Sequence, residues 1–247
     1  MAKARRLHMA DYAIVTGGSQ GIGLAICRRL KQDGKTPIIF DRVAPEDSSL
    51  GKFRAVELSD LDATAAALDW ALGLGPVSRL VNNVGVVMPA LLENTSLEDF
   101  DALMALNVRC AIQCTQAVAP AMRKRKIGRV VNIASRAALG KALRTNYSAS
   151  KAALIGLTRT WSLELAADGI TVNCICPGPI ATELYEIANP ADDPRTIASL
   201  AAVPAGRIGT PEDIAQAAAF FLAEGSGFIN GQTLYVCGAS SVGRSGV

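Results

Sequence analysis

The sequence predicts an α/β fold, a doubly wound, seven-stranded parallel sheet with helices on both faces. Three observations predict it. Seven β-type runs punctuate the chain, several of them almost continuously apolar, as strands buried on both faces are. Helical patterns separate the runs, and such alternation implies parallel pairing through right-handed crossovers. A glycine-rich turn joins the first run to the first helical segment, the junction at which open α/β sheets bind anionic ligands.

The strands are read as Tyr12–Thr16, Pro37–Asp41, Phe53–Leu58, Arg79–Asn83, Gly128–Ala134, Thr171–Cys176 and Thr233–Cys237. Between them Ile22–Asp33 forms a helix that ends before Gly34, a suitable C-cap. Leu61–Leu72 follows the capping residues Ser59 and Asp60. Ser96, with Asp99 three residues on, opens a helix in the manner of a capping box. Long helical stretches run through Phe100–Arg125 and Tyr147–Ala167, and Thr210-Pro211 begins the last helix. Glu183–Gly209 shows no clear period and reads as an irregular lid or binding loop.

With 50% apolar and 5% aromatic residues, the 247-residue chain fits one large packed domain, here 11–247, rather than a disordered or fibrous protein. Residues 1–10 read as a flexible basic tail without the apolar core of a signal peptide. A formal net charge of +3 is too small for a dedicated nucleic-acid binder. No apolar run reaches the ~20 residues needed to span a bilayer. The six cysteines lie mostly in apolar segments, and the only histidine, His8, is in the tail. The expectation is therefore buried free thiols, no metal, and a reducing cytoplasm.

The turn after the first strand reads Thr16-Gly17-Gly18-Ser19-Gln20-Gly21-Ile22-Gly23. Its glycines let backbone N–H groups approach a pyrophosphate, and the following helix offers its positive end to the same anion. Asp41, at the end of the second strand, can accept hydrogen bonds from the adenosine ribose hydroxyls. The same carboxylate would repel a 2′-phosphate, which argues for NAD over NADP, although the adjacent Arg42 pulls the other way. Further along, Tyr147 and Lys151 lie four residues apart, on one face if the segment is helical. A cation there can lower the pKa of the phenol, otherwise near ~10.

With the glycine loop, Ser135 and Tyr147-x-x-x-Lys151 in this order, the chain resembles the short-chain dehydrogenase/reductase family over roughly Tyr12 to Ala239. The resemblance implies a Rossmann-type catalytic domain and a hydride-transfer enzyme acting on an alcohol or ketone. It implies that Gly17, Ser19, Gln20, Gly21, Ile22 and Gly23 line the dinucleotide, as do Asn83, Val84 and Gly85 from the stretch Asn82-Asn83-Val84-Gly85. Pro177, Gly178, Ile180 and Thr182 match the segment that holds the nicotinamide, and Glu57-Leu58 stands where the family has Asp-Val beside the adenine. Asn107, Ser135, Tyr147 and Lys151 match the catalytic tetrad. In that reading Tyr147 is the acid–base, Lys151 lowers its pKa and holds the nicotinamide ribose, Ser135 binds the substrate oxygen, and Asn107 helps hold a water that leads protons from Lys151 to solvent.

The substrate side follows from the segments after Gly85, Ser135 and Gly178. Val87 lies in an apolar stretch suited to an alicyclic, aromatic or aliphatic body. Arg136, Lys141 and Arg144 stand close to Tyr147 in sequence and could pair with a substrate anion, but each is read first as solvated or facing another subunit. Tyr185 is a further pocket candidate. The leading reading is an NAD-dependent secondary-alcohol dehydrogenase acting on a small, possibly carboxylated molecule. The alternatives are a 3-oxoacyl-[acyl-carrier-protein] reductase, for which the basic run Arg123–Lys126 could meet an acidic carrier, and a non-catalytic dinucleotide sensor or scaffold, which would not need the tetrad. Neither nucleic acid nor membrane is expected as a partner. A homotetramer or homodimer is implied by the resemblance, packed through the two long helices.

Overall fold

The computed structural model describes residues 11–242; the tail assigned to residues 1–10, with His8, lies outside them. The elements run β1 (Tyr12–Thr16), α1 (Gly21–Gln32), β2 (Thr36–Asp41), β3 (Lys52–Ala55), α2 (Leu61–Leu74), β4 (Val77–Asn82), α3 (Leu97–Met104), α4 (Cys110–Arg125), β5 (Gly128–Ile133), α5 (Thr145–Leu165), β6 (Ile170–Pro177), α6 (Glu183–Ala188), α7 (Pro194–Ala201), α8 (Pro211–Leu222) and β7 (Thr233–Val236). The strands form one seven-stranded sheet in the order β3-β2-β1-β4-β5-β6-β7, and every pairing is parallel. The predicted doubly wound sheet is therefore the observed one.

Alternation along the strands divides the core between two faces. Ile14, Ile38 and Phe40 point to the side covered by α2 and α4, where Leu68, Cys114, Val118 and Met122 meet them. Ala13, Val15, Ile39 and Val131 point to the other side, against Ile26 and Leu30 of α1 and Ile214 and Phe221 of α8. All six cysteines are buried and free. Among the described residues no group of three or more His, Cys, Asp or Glu side chains could hold a metal ion.

The predicted caps are present. Asp60 accepts from the Ala63 amide and Ser96 from that of Asp99, while Thr210 and Asp213 complete a reciprocal capping box. Three expectations need correction. The third strand stops at Ala55, because it is an edge strand with only β2 for a neighbour, so Glu57 and Leu58 lie beyond the sheet. The stretch from Phe100 to Arg125 is not one regular helix: α3 and α4 are joined by a π-type turn over Ala105–Arg109, an extra residue that swings Asn107 inward. The segment Glu183–Gly209 is not irregular throughout. Thr182 caps α6 through the Tyr185 amide, and Asp193 caps α7 through the Arg195 amide ahead of Pro194.

Strand order reverses between β1 and β4, and the crevice beyond their carboxyl ends is where such sheets take ligands. Side chains staple this point. The Thr16 hydroxyl accepts from the amides of Asn83 (3.0 Å) and Val84 (3.1 Å). The Asn83 amide in turn donates to the carbonyls of Thr16 and Gly17, both at 2.9 Å.

Candidate active site

A cavity of about 970 Å³ opens along the carboxyl ends of β1, β2, β4, β5 and β6. Of the residues expected at the cofactor, Gly17, Gln20, Gly21, Ile22, Asp41, Arg42, Glu57, Leu58, Asn83, Val84, Gly85, Pro177, Gly178, Ile180 and Thr182 all line it. Ser19 and Gly23 stand behind this wall. Gly23 packs so closely on the loop that a Cβ there would lie 1.9 Å from the Gly17 carbonyl oxygen, the close helix–strand approach that only glycine permits. Ser19 donates its amide to Asp41 Oδ2 at 3.0 Å, and the other carboxylate oxygen accepts from the Arg42 amide at 2.7 Å. Asp41 is thus held at the strand end facing the cavity. One oxygen of the Glu57 carboxylate is engaged by the amide and hydroxyl of Ser59.

These features fit a nicotinamide dinucleotide. The Ser19 hydroxyl, just behind the wall before α1, is buried and has no hydrogen-bond partner among the described residues, beside the helix end that would face an anion.

The expected catalytic residues converge at the far end of the cavity. Ser135 follows β5 and caps a short 3₁₀ turn, its hydroxyl accepting from the Ala137 amide at 3.1 Å. Tyr147 lies in the first turn of α5, and Lys151 Nζ sits 5.7 Å from its ring centroid. The ammonium donates to the Ile133 carbonyl at 2.9 Å. Asn107 does not line the cavity. Its amide oxygen accepts from Val86 N at 2.9 Å, and its nitrogen donates to Val86 O at 3.0 Å and Ser150 Oγ at 3.1 Å. Both ends of this side chain are therefore spent on protein groups, and it clamps the Val86 segment to α5.

Burial dominates the electrostatics of this pair. Burial pushes the Tyr147 phenol above its ordinary value, and only then do Ser135 and Arg144 pull it down. Burial also brings the Lys151 ammonium down to about 8. The two groups occupy one desolvated pocket, so each favours its neutral form.

On the substrate side Val87, Arg136, Lys141, Arg144 and Tyr185 all face the cavity. Arg144 is neither solvated nor free to meet another subunit: it is 5% exposed. Its guanidinium donates to the carbonyls of Leu143 (3.0 Å) and Ala188 (2.8 Å) and to Asn189 Oδ1 (3.3 Å). Asn189 was not anticipated from sequence, since a neutral amide at the end of a six-residue helix carries no pattern.

Comparison with known proteins agrees with this geometry. The family model for short chain dehydrogenase matches residues 11–193. The chain is 37% identical over 241 residues to the (2S)-[(R)-hydroxy(phenyl)methyl]succinyl-CoA dehydrogenase subunit BbsD of Thauera aromatica, covering 93% of this chain and 96% of that one. It is 36% identical over 238 residues to the 3-oxoacyl-[acyl-carrier-protein] reductase FabG of Vibrio cholerae, covering 92% and 95% of the two chains. A crystal structure of a candidate NAD(P)-dependent gluconate 5-dehydrogenase from Beutenbergia cavernae, with NADP bound at low occupancy, superposes with a TM-score of 0.87. The two share 31% identity, and the match covers 95% of this chain and 98% of that one.

Proposed function

The chain belongs to the short-chain dehydrogenase/reductase family, oxidoreductases acting on CH–OH groups with a nicotinamide cofactor, and we propose that it is an NAD-dependent dehydrogenase of a secondary alcohol with an apolar body. The observation that carries the reading is the placement of Asp41 and of the Ser135–Tyr147–Lys151 group along one cavity.

The nicotinamide, when bound, supplies or accepts the hydride. The remaining work belongs to the chain. Tyr147 gives a proton to the carbonyl oxygen as it becomes an alcohol oxygen, and takes that proton back in the oxidative direction. The Ser135 hydroxyl donates to the same oxygen, stabilising the charge that develops there. Lys151 is held by the Ile133 carbonyl; it would hold the nicotinamide ribose hydroxyls and, when charged, favour the phenolate of Tyr147, whose ring centroid is 5.7 Å away. Asn107 acts as a positioning residue, fixing the Val86 wall against α5.

NAD is favoured over NADP in this reading because the Asp41 carboxylate, held at the end of β2, would accept from the adenosine ribose hydroxyls and repel a 2′-phosphate. Arg42 is 78% exposed on its side chain and leans toward Glu57 at 3.9 Å, so it is a weak counterweight. A second reading, a 3-oxoacyl reductase, draws on the similarity to the Vibrio cholerae enzyme. The experiment is a panel of secondary alcohols, ketones and 3-oxoacyl thioesters assayed with both cofactors, in the wild type, Tyr147→Phe and Asp41→Ala. Tyr147→Phe should abolish turnover and leave cofactor binding nearly intact; substantial residual turnover would reject Tyr147 as the acid–base. Asp41→Ala should narrow the NAD/NADP ratio of kcat/KM, and an unchanged ratio would place the discrimination elsewhere.

A further inference from the structure

Three cations share one wall of the cavity beside Tyr147, and among the described residues none forms a salt bridge with a carboxylate. Arg136 lies in the turn after Ser135, while Lys141 and Arg144 lie in the loop before α5. The ion pairs among the described residues join other side chains. Arg144 is 5% exposed. Its neighbour Leu143 adopts φ +64°, a conformation that L side chains rarely take. A buried cation normally carries a partner, because desolvation of an unpaired charge is costly. Here burial, then Arg144, then Arg136 bring Lys141 down to about 8.

The acceptor between them is instructive. The single amide oxygen of Asn189 accepts from Lys141 Nζ at 2.9 Å and from Arg144 Nη2 at 3.3 Å. It occupies the position at which one oxygen of a carboxylate would bridge the same two cations. Its amide nitrogen is tied back to the Tyr185 carbonyl at 2.8 Å. The pocket thus presents a prepared anion seat filled by a neutral oxygen. The seat is near the chemistry, since Arg144 immediately precedes α5, Tyr147 lies in the first turn of that helix, and both line the same cavity.

We propose that Arg136, Lys141 and Arg144 form a receptor for a carboxylate carried on the substrate a few carbons from the reacting carbon, so that the substrate is a hydroxy acid or keto acid with an apolar body. The position of the reacting carbon rests on the hydride-transfer reading; the anion seat itself does not. The carboxylate takes the place of the Asn189 oxygen, and the apolar body lies against the Val86–Met88 wall. A carboxylate is indicated because the seat is the position of one amide oxygen shared by Lys141 and Arg144, and a planar carboxylate reproduces that oxygen and suits the guanidinium fork.

The probes are 4-oxo-4-phenylbutanoate and its primary amide, which differ only in the charged group. Binding to the full chain is followed by calorimetry, and turnover with NADH in parallel. The wild type should bind the acid more tightly than the amide. Lys141→Gln should weaken the acid roughly tenfold to a hundredfold, the loss expected for a hydrogen bond to a charged group, and weaken the amide far less. Asn189→Asp installs an internal carboxylate between the cations and should lower affinity for the acid selectively. Arg144→Gln should act like Lys141→Gln, but it can also loosen α6, so the other two variants decide. Equal affinity for acid and amide in the wild type, or equal losses for both in Lys141→Gln and Asn189→Asp, would overturn the anion seat. Ketone turnover without any preference for the acid would overturn it while leaving hydride transfer standing. Selective binding of the acid with no turnover of either probe would keep the seat and overturn the placement of the reacting carbon a few carbons from it.

Discussion

Asn107 offers a measurable separation of architecture from chemistry. By family resemblance it helps hold a water on a proton path; in the structure its amide is consumed by Val86 N, Val86 O and Ser150 Oγ. Asn107→Ala removes these three hydrogen bonds from a side chain that is 2% exposed. At roughly 1 kcal/mol for each bond the loss is about 3 kcal/mol. For a domain of this size that corresponds to a fall in Tm of about 6–12 °C. The assay is thermal unfolding at one fixed protein concentration, because assembly shifts apparent stability. Asn107→Asp retains the acceptor for Val86 N but buries a carboxylate whose second oxygen faces the Val86 carbonyl, so its Tm should fall at least as far as that of the alanine variant. In both variants KM for the substrate should rise, because the Val86 segment lines the pocket. A Tm within about 2 °C of the wild type, with turnover lost, would refute the clamp and return Asn107 to a purely chemical role.

Two further outcomes follow from packing and charge. Gly23→Ala places a Cβ 1.9 Å from the Gly17 carbonyl oxygen; the loop must move, at a cost of about 1–3 kcal/mol, and fluorescence titration should show much weaker NADH binding, whereas wild-type affinity would show that the loop yields freely. Lys151 holds a proton only up to about pH 8 in the folded protein and to about 10.4 when unfolded. Between those values the unfolded chain binds more protons, so this residue makes stability rise with pH there. Lys141 has the same sign and the same value of about 8. From pH 8 to 9.5 the Tm of the wild type should therefore gain on that of Lys151→Met, by about 1–2 kcal/mol in stability, and a constant difference would contradict burial as the cause.

Much of the site is legible in the sequence because its parts need special residues at fixed places. Gly23 is required where α1 meets the Gly17 carbonyl, and Asp41 marks a strand end; neither depends on remote packing. The sheet is legible because Ile38–Phe40 and the pair Val130 and Val131 are apolar on both faces. What was not legible depends on partners far away in the chain. The end of β3 is set by having one neighbour, not by composition, so Glu57 and Leu58 look like strand and are not. The π-type turn at Ala105–Arg109 adds one residue to a continuing helical pattern, and apart from the buried Asn107 no residue type there announces it. Arg144 looks like a surface charge because its burial is conferred by Ala188 and Asn189, more than forty positions away.

Arg144 also ties substrate choice to proton transfer. Burial raises the Tyr147 phenol, and the nearby guanidinium opposes that rise. A carboxylate paired with Arg144 would cancel much of the opposing field, because a charge and its counter-charge at close range act on a third group only as a dipole. Tyr147 would then keep its proton to higher pH. The protonated phenol is the form that donates to a carbonyl oxygen, so a keto acid seated on this wall would hold the enzyme in the state that reduces it. The corresponding hydroxy acid would impose the same field on a reaction that needs the phenolate, and its oxidation would begin only at higher pH than that of a neutral alcohol. One buried arginine, three residues before the acid–base, would in this way set both which molecule is held and the pH range over which each direction proceeds.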